Sequence, residues 1–180
     1  RSTGVFDRIR STAGTDTTNM QTGGYYSFNV GSWHLIALNS NCDFVGGCWD
    51  GSPQEQWLKR DLAAHPDMCT LAYWHHPRFN SGASHGNDVK VAPFWSALYD
   101  FNADVILNGH EHVYERFAPQ SPTAVADNAR GILSAVSQDC ASQLAKRFDF
   151  LVIVAPPFLL EMLRSSLPAG IIVDKVVACI

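Results

Sequence analysis

The sequence predicts an α/β fold built as a mixed sheet with flanking helices. Three observations lead there. Two short apolar runs, "CTLAYW" and "ADVILN", have the length and continuous hydrophobicity of buried strands. Between them "APFWSALYDF" spaces its apolar residues as a helix does. Upstream, "YYSFNVGSWHLIALNS" alternates in the manner of two strands.

Each element has a local cause. The first strand pair turns at Gly31, with His34 inside the second strand as a face-pointing residue rather than a ligand. "GSPQEQWLKRDLAAHP" carries a full set of helix signals: Ser52 as N-cap, Pro53 in the first helical position, Glu55 three residues after the cap, and Pro66 as the stop. Trp57, Leu58 and Leu62 form its buried stripe, and His65 sits in its last turn. "CTLAYW" must end at "HHP", because Pro77 cannot donate to a ladder and biases His76 toward an extended shape. The helix over 92–101 then returns the chain to "ADVILN", which ends in "GHEHVYER". Strand, helix, strand is a crossover unit, and in such sheets ligands sit beyond the carboxyl ends of the strands.

Composition narrows the function classes. A net charge of -4, with no run of Lys and Arg, argues against nucleic acid or an anionic membrane surface as partner. The longest apolar stretch, residues 148–163, contains Pro156, Pro157, Asp149 and Glu161 and falls short of a membrane span. Cys42 and Cys48 bracket "DFVGG", a spacing that suits a disulfide in a secreted or periplasmic protein; the alternative is two unpaired thiols in a loop. Cys69, Cys140 and Cys179 are expected as small buried residues.

Histidine placement carries the chemistry. His110 and His112 are two apart, so in extended backbone both rings point to one side. His75 leaves the adjacent strand, and together the three imidazoles are expected to converge on a metal. His76 is expected as an exposed loop residue on the face opposite His75.

"TLAYWHHPRFNSGASHGND" followed by "ADVILNGHEHVYERFAPQ" resembles the calcineurin-like metallophosphoesterases, and within them the purple-acid-phosphatase-like secreted bacterial type, over about residues 25–132. The resemblance implies a metal-dependent phosphoester hydrolase with iron, zinc or manganese as cofactor and a phosphate ester as substrate. It implies His75 and His110 as ligands of one metal, His112 as ligand of the other, and His85 as the histidine that contacts the phosphoryl oxygens or protonates the leaving group. Tyr114, Glu115 and Arg116 are expected to support the loop.

Other motifs of that family are missing. No aspartate precedes a histidine by two positions, no glycine–aspartate pair occurs, and "HGND" is not the glycine–asparagine–histidine motif. The chain is therefore expected to correspond to the C-terminal half of such a sandwich, preceded in the parent fold by a segment upstream of Arg1, and to be weakly active or inactive alone. Residues 133–180 read as a strand-helix-strand α/β segment of different origin. "RFDFLVIVAPPFLLEMLRSSLP" within it resembles bacterial host-attachment proteins, whose fold is similar to the middle domain of release factors; a generic α/β unit is the alternative. The sequence thus reads as a mosaic: a partial phosphoesterase domain over 1–132 and a partial α/β segment over 133–180. Exposed strand edges are expected to pair in a homodimer. The rival function is a non-catalytic scaffold with at most a single-metal site of three histidines.

Overall fold

The structure, a computed structural model, describes Asp16, Thr18, Asn19 and residues 23–137. The expected α/β segment beyond Ser137, with Cys140 and Cys179, lies outside the described residues.

Among the described residues, six strands form one sheet in the order β1-β2-β3-β4-β6-β5. They are β1 (Tyr26–Val30), β2 (Trp33–Ala37), β3 (Cys69–Trp74), β4 (Val105–Asn108), β5 (Tyr114–Arg116) and β6 (Leu133–Ser137). The central run β2, β3, β4, β6 is parallel, while β1 and β5 pair antiparallel at the edges. Gly31 turns between β1 and β2 at a φ of 58°, a left-handed value that costs glycine little. Because β6 pairs with both β4 and β5, the sheet runs on to Ser137.

Two helices cover one face: α1 (Pro53–Ala64) and α2 (Ala92–Asp100). Ile36, Ala72, Trp74 and Ile106 on that face pack with Trp57, Leu58, Leu62, Phe94, Trp95 and Leu98 in one buried cluster. The period of two along the strands sends Phe28, Trp33, Leu35, Leu71 and Val105 to the opposite face, where they form a second cluster. Leu35, Leu71, Val105 and Leu133 stand in register across four neighbouring strands, which makes this second face continuous.

The N-terminus of α1 follows its sequence signals with one variation. Ser52 accepts from Glu55 N (3.4 Å), but the Glu55 carboxylate reaches Gly51 N (3.1 Å) instead of the cap residue's own amide. A buried polar knot fastens α1 to the sheet. Asp61 accepts from Ser27 Oγ (2.8 Å) and lies 2.8 Å from His34 Nε2, whose Nδ1 is 2.7 Å from Asn29 Oδ1. His65 stacks on His34 with ring centroids 3.8 Å apart. His34 therefore sits in the sheet-helix interface as a linking residue, in keeping with its reading as a strand residue.

Cys42 and Cys48 are joined as a disulfide, with Cα atoms 5.2 Å apart. Cys69 departs from expectation. It is exposed at the first position of β3, before the buried run of that strand begins.

Candidate metal centre

The site forms where β3 and β4 leave the sheet. These strands are parallel neighbours, with Trp74 opposite Asn108, so their exits lie side by side. Gly109 N donates to His75 O (3.0 Å) and Asn108 Nδ2 to Trp74 O (3.1 Å), which keeps the two exits together after the ladder ends. His75 and His110 meet there, with His110 Nδ1 3.0 Å from His75 Nε2.

The third imidazole of the group is His76, not His112. One ligand atom from each of His75, His76 and His110 lies within 4.8 Å of the others. The His76 ring centroid is 4.8 Å from that of His75 and 4.4 Å from that of His110. The expectation that His76 faces away from His75 is thus corrected. Strand alternation stops at Trp74, the chain bends at both histidines, and Ser40 captures His76. Ser40 Oγ accepts from His76 N (3.0 Å) and lies 2.8 Å from His76 Nδ1, which leaves Nε2 for the cluster. Ser40 is itself held by the β2 exit, where buried Gln54 bonds both the N–H and the C=O of Asn39.

His112 also departs from the expected geometry. The shared face of His110 and His112 assumed extended backbone, whereas His110 has φ +69° and residues 110–113 bend. Left-handed backbone at His110 destroys the two-residue alternation. His112 is exposed and its ring approaches His85, at 5.8 Å between centroids, rather than the His75 group. His85 does reach the cluster: its ring centroid is 4.2 Å from that of His110.

Electrostatics favour lone pairs in the cluster. Partial burial, followed by the neighbouring imidazoles of His76, His110 and His85, holds His75 below its ordinary value. Burial and then the His76 and His85 imidazoles do the same to His110. Neutral imidazole is the form that ligates metal, so the donor chemistry fits an ion of the zinc or iron kind. Among the described residues, the His75 group contains no carboxylate.

Glu111, between the two histidines of the motif, went unremarked in the sequence. It is 1% exposed, and its carboxylate accepts from Ser84 N (3.0 Å) and His85 N (2.9 Å). Burial opposes its ionisation, but these amide bonds prevail and hold its carboxyl below the ordinary value. Glu115, expected to support the loop, accepts from Ser81 N (2.8 Å). A charge between two histidines, opposite a loop of small residues, was the available signal.

Comparison with known proteins decides the family. The family description "Calcineurin-like phosphoesterase" matches residues 2–114, more than half of the chain. The chain belongs to the calcineurin-like phosphoesterase family. Within this family it is similar to Arabidopsis thaliana purple acid phosphatase 15, 34% identical over 97 residues that cover 51% of the chain and 18% of that protein. Arabidopsis purple acid phosphatase 22 is 37% identical over 99 residues, covering 52% of the chain and 22% of that protein. The calcineurin-like phosphoesterase chain described here therefore spans about a fifth of the length of these relatives. Among solved structures, the purple acid phosphatase PPD1 from yellow lupin seeds superposes with a TM-score of 0.53 at 17% identity, over 63% of this chain and 22% of that one. That likeness establishes the mixed α/β sheet as the phosphoesterase fold.

Proposed function

We propose that this chain carries part of the catalytic centre of a metal-dependent phosphoester hydrolase of the purple-acid-phosphatase type, and that alone it turns over weakly or not at all. The observation that carries the reading is the convergence of His75, His76 and His110 at two strand exits, with His85 against them. His75 and His110 hold an ion of iron, zinc or manganese, and His112 serves a second ion only with ligands supplied from elsewhere. Such an ion, when bound, polarises a phosphoryl oxygen and activates water. The chain's own contribution is placement. Ser40 orients His76, Gly109 ties the two strand exits together, and His85 stands beside His110 to contact phosphoryl oxygens or to protonate a leaving group.

Hydrolysis of p-nitrophenyl phosphate with added manganese, zinc or iron tests this reading. Any turnover is expected to vanish in His110→Ala, and activity that survives the substitution refutes the assignment. A second reading is favoured by the all-imidazole donor set: a non-catalytic scaffold holding one ion on His75, His76 and His110. It is distinguished by one ion per chain with no preference for phosphate esters.

The Cys42–Cys48 disulfide supports a secreted or periplasmic setting. The net charge of -4 supports partners other than nucleic acid or anionic membrane, and among the described residues no helix is long and apolar enough to cross a membrane. The sheet's outer strands, β1 and β5, are the edges through which a homodimer would pair, and a monodisperse monomer in light scattering would overturn that part. The division into a partial phosphoesterase domain and a segment of different origin remains part of the same proposal.

A further inference from the structure

The loop that carries His85 is held in two different ways. Its base is braced from within: Asp88 N donates to Pro77 O (2.9 Å), Asn80 N to Asn87 Oδ1 (2.7 Å), and the Asn80 side-chain amide to Gly86 O. Its tip is held from outside by carboxylates of the segment that follows β4. Ser84 N and His85 N bond the two oxygens of Glu111, and Ser81 N bonds Glu115. Glu111 sits between His110 and His112, so the residue that grips the loop is fixed to the same turn as the histidines the loop must face. The fit is close: a Cβ added at Gly82 would lie 2.2 Å from Glu111 Cγ, so only glycine lets the loop settle onto that side chain.

We propose that Glu111 is a positioning residue that sets His85 against His110. The inference rests on the reading of His85 as a phosphoryl contact for its functional meaning, although the clamp itself is a property of the fold. A carboxylate suits the task because each oxygen accepts one of two consecutive amide N–H groups. An amide in its place can accept only one, since its NH2 would face the other donor. Glu111 stands outside the His75–His76–His110 group and acts through the backbone of His85. The consequence is that, within a loop braced at its base and at Ser81, the Glu111 side chain sets how close His85 stands to the His75–His76–His110 group.

The test uses the whole chain and four variants: Glu111→Gln, Gly82→Ala, His85→Ala, and Glu111→Gln with His85→Ala. On metal-free protein, amide hydrogen exchange and the cross-relaxation contact between the His85 and His110 rings report the clamp. Exchange at Ser84 and His85 is expected to rise by about tenfold or more in Glu111→Gln, and the ring contact to be lost, while the Leu71 and Ile106 amides keep wild-type protection. Gly82→Ala, which leaves the carboxylate in place, is expected to reproduce both changes. Unchanged exchange and an unchanged ring contact in Glu111→Gln would overturn the proposal.

Inorganic phosphate affinity of the zinc-loaded protein reports the function. Glu111→Gln is expected to weaken phosphate binding in the wild-type background and to have no further effect once His85 is alanine. Additive losses would show that Glu111 acts by another route and would overturn its role through His85. If His85→Ala leaves phosphate affinity unchanged, the functional reading of His85 fails, and the exchange and ring-contact measurements alone decide the clamp.

Discussion

Replacing Asp61 by alanine should unfasten α1 from the sheet. In the native protein its carboxylate serves two buried groups, Ser27 Oγ and His34 Nε2, each at 2.8 Å, and both residues are 0% exposed. Removing the acceptor leaves both donors buried without a partner. Each such group costs about 1–3 kcal/mol, so the pair gives about 2–6 kcal/mol. A domain of this kind has about 5–15 kcal/mol in all, so the loss is a large share of it. Urea unfolding followed by tryptophan fluorescence should show a midpoint lower by about 0.7 M or more, given a slope of about 1–3 kcal/mol per molar. The combination Ser27→Ala, His34→Leu and Asp61→Leu removes donors and acceptor together and should recover part of the loss. A destabilisation below about 1 kcal/mol in Asp61→Ala would refute the account, since buried donors that cost so little must have found other partners.

Three further outcomes follow from the geometry. Cys42→Ser with Cys48→Ser opens a short closed loop and should lower stability by about 2 kcal/mol, read by the same urea titration, with dithiothreitol giving the same shift in the wild type. Ser40→Ala removes the oxygen beside His76 Nδ1 and should weaken zinc binding by about 10- to 100-fold, measured by competition with a chromogenic chelator. Because His75 and His110 are held below their ordinary value of 6.5, the unfolded chain binds more protons than the folded one near that pH. Metal-free stability should therefore fall as pH drops below about 6.5, and His75→Ala should flatten that dependence in urea midpoints taken across pH.

Much of the frame was legible in the residues themselves. Continuous apolar runs marked β3 and β4, Ser52 with Pro53 marked the start of α1, and Gly31 marked the hairpin turn. Two departures from the expected geometry share one physical cause. Both His76 and His112 were placed by assuming that strand alternation continues beyond the strand. In the structure the chain bends at His75 and His76, and His110 takes a left-handed conformation, so the rings leave in directions that spacing alone cannot give. Ser40, which draws His76 into the cluster, lies 36 residues earlier in the chain and carries no local signal. Glu111 is marked in the sequence only by its charge between two histidines, because its partners are backbone amides of Ser84 and His85, which leave no mark there. Cys69 shows the limit of inferring burial from residue type at the first position of a strand.

The central claim is that the three imidazoles at the exits of β3 and β4 form a metal site. Metal content by mass spectrometry, on protein purified without a histidine tag and dialysed against zinc, manganese and iron in turn, tests it most directly. The account predicts about one ion per wild-type chain, lost in His75→Ala and in His110→Ala and weakened in His76→Ala. A wild type that retains no ion, or a His110→Ala variant that retains it fully, would contradict it.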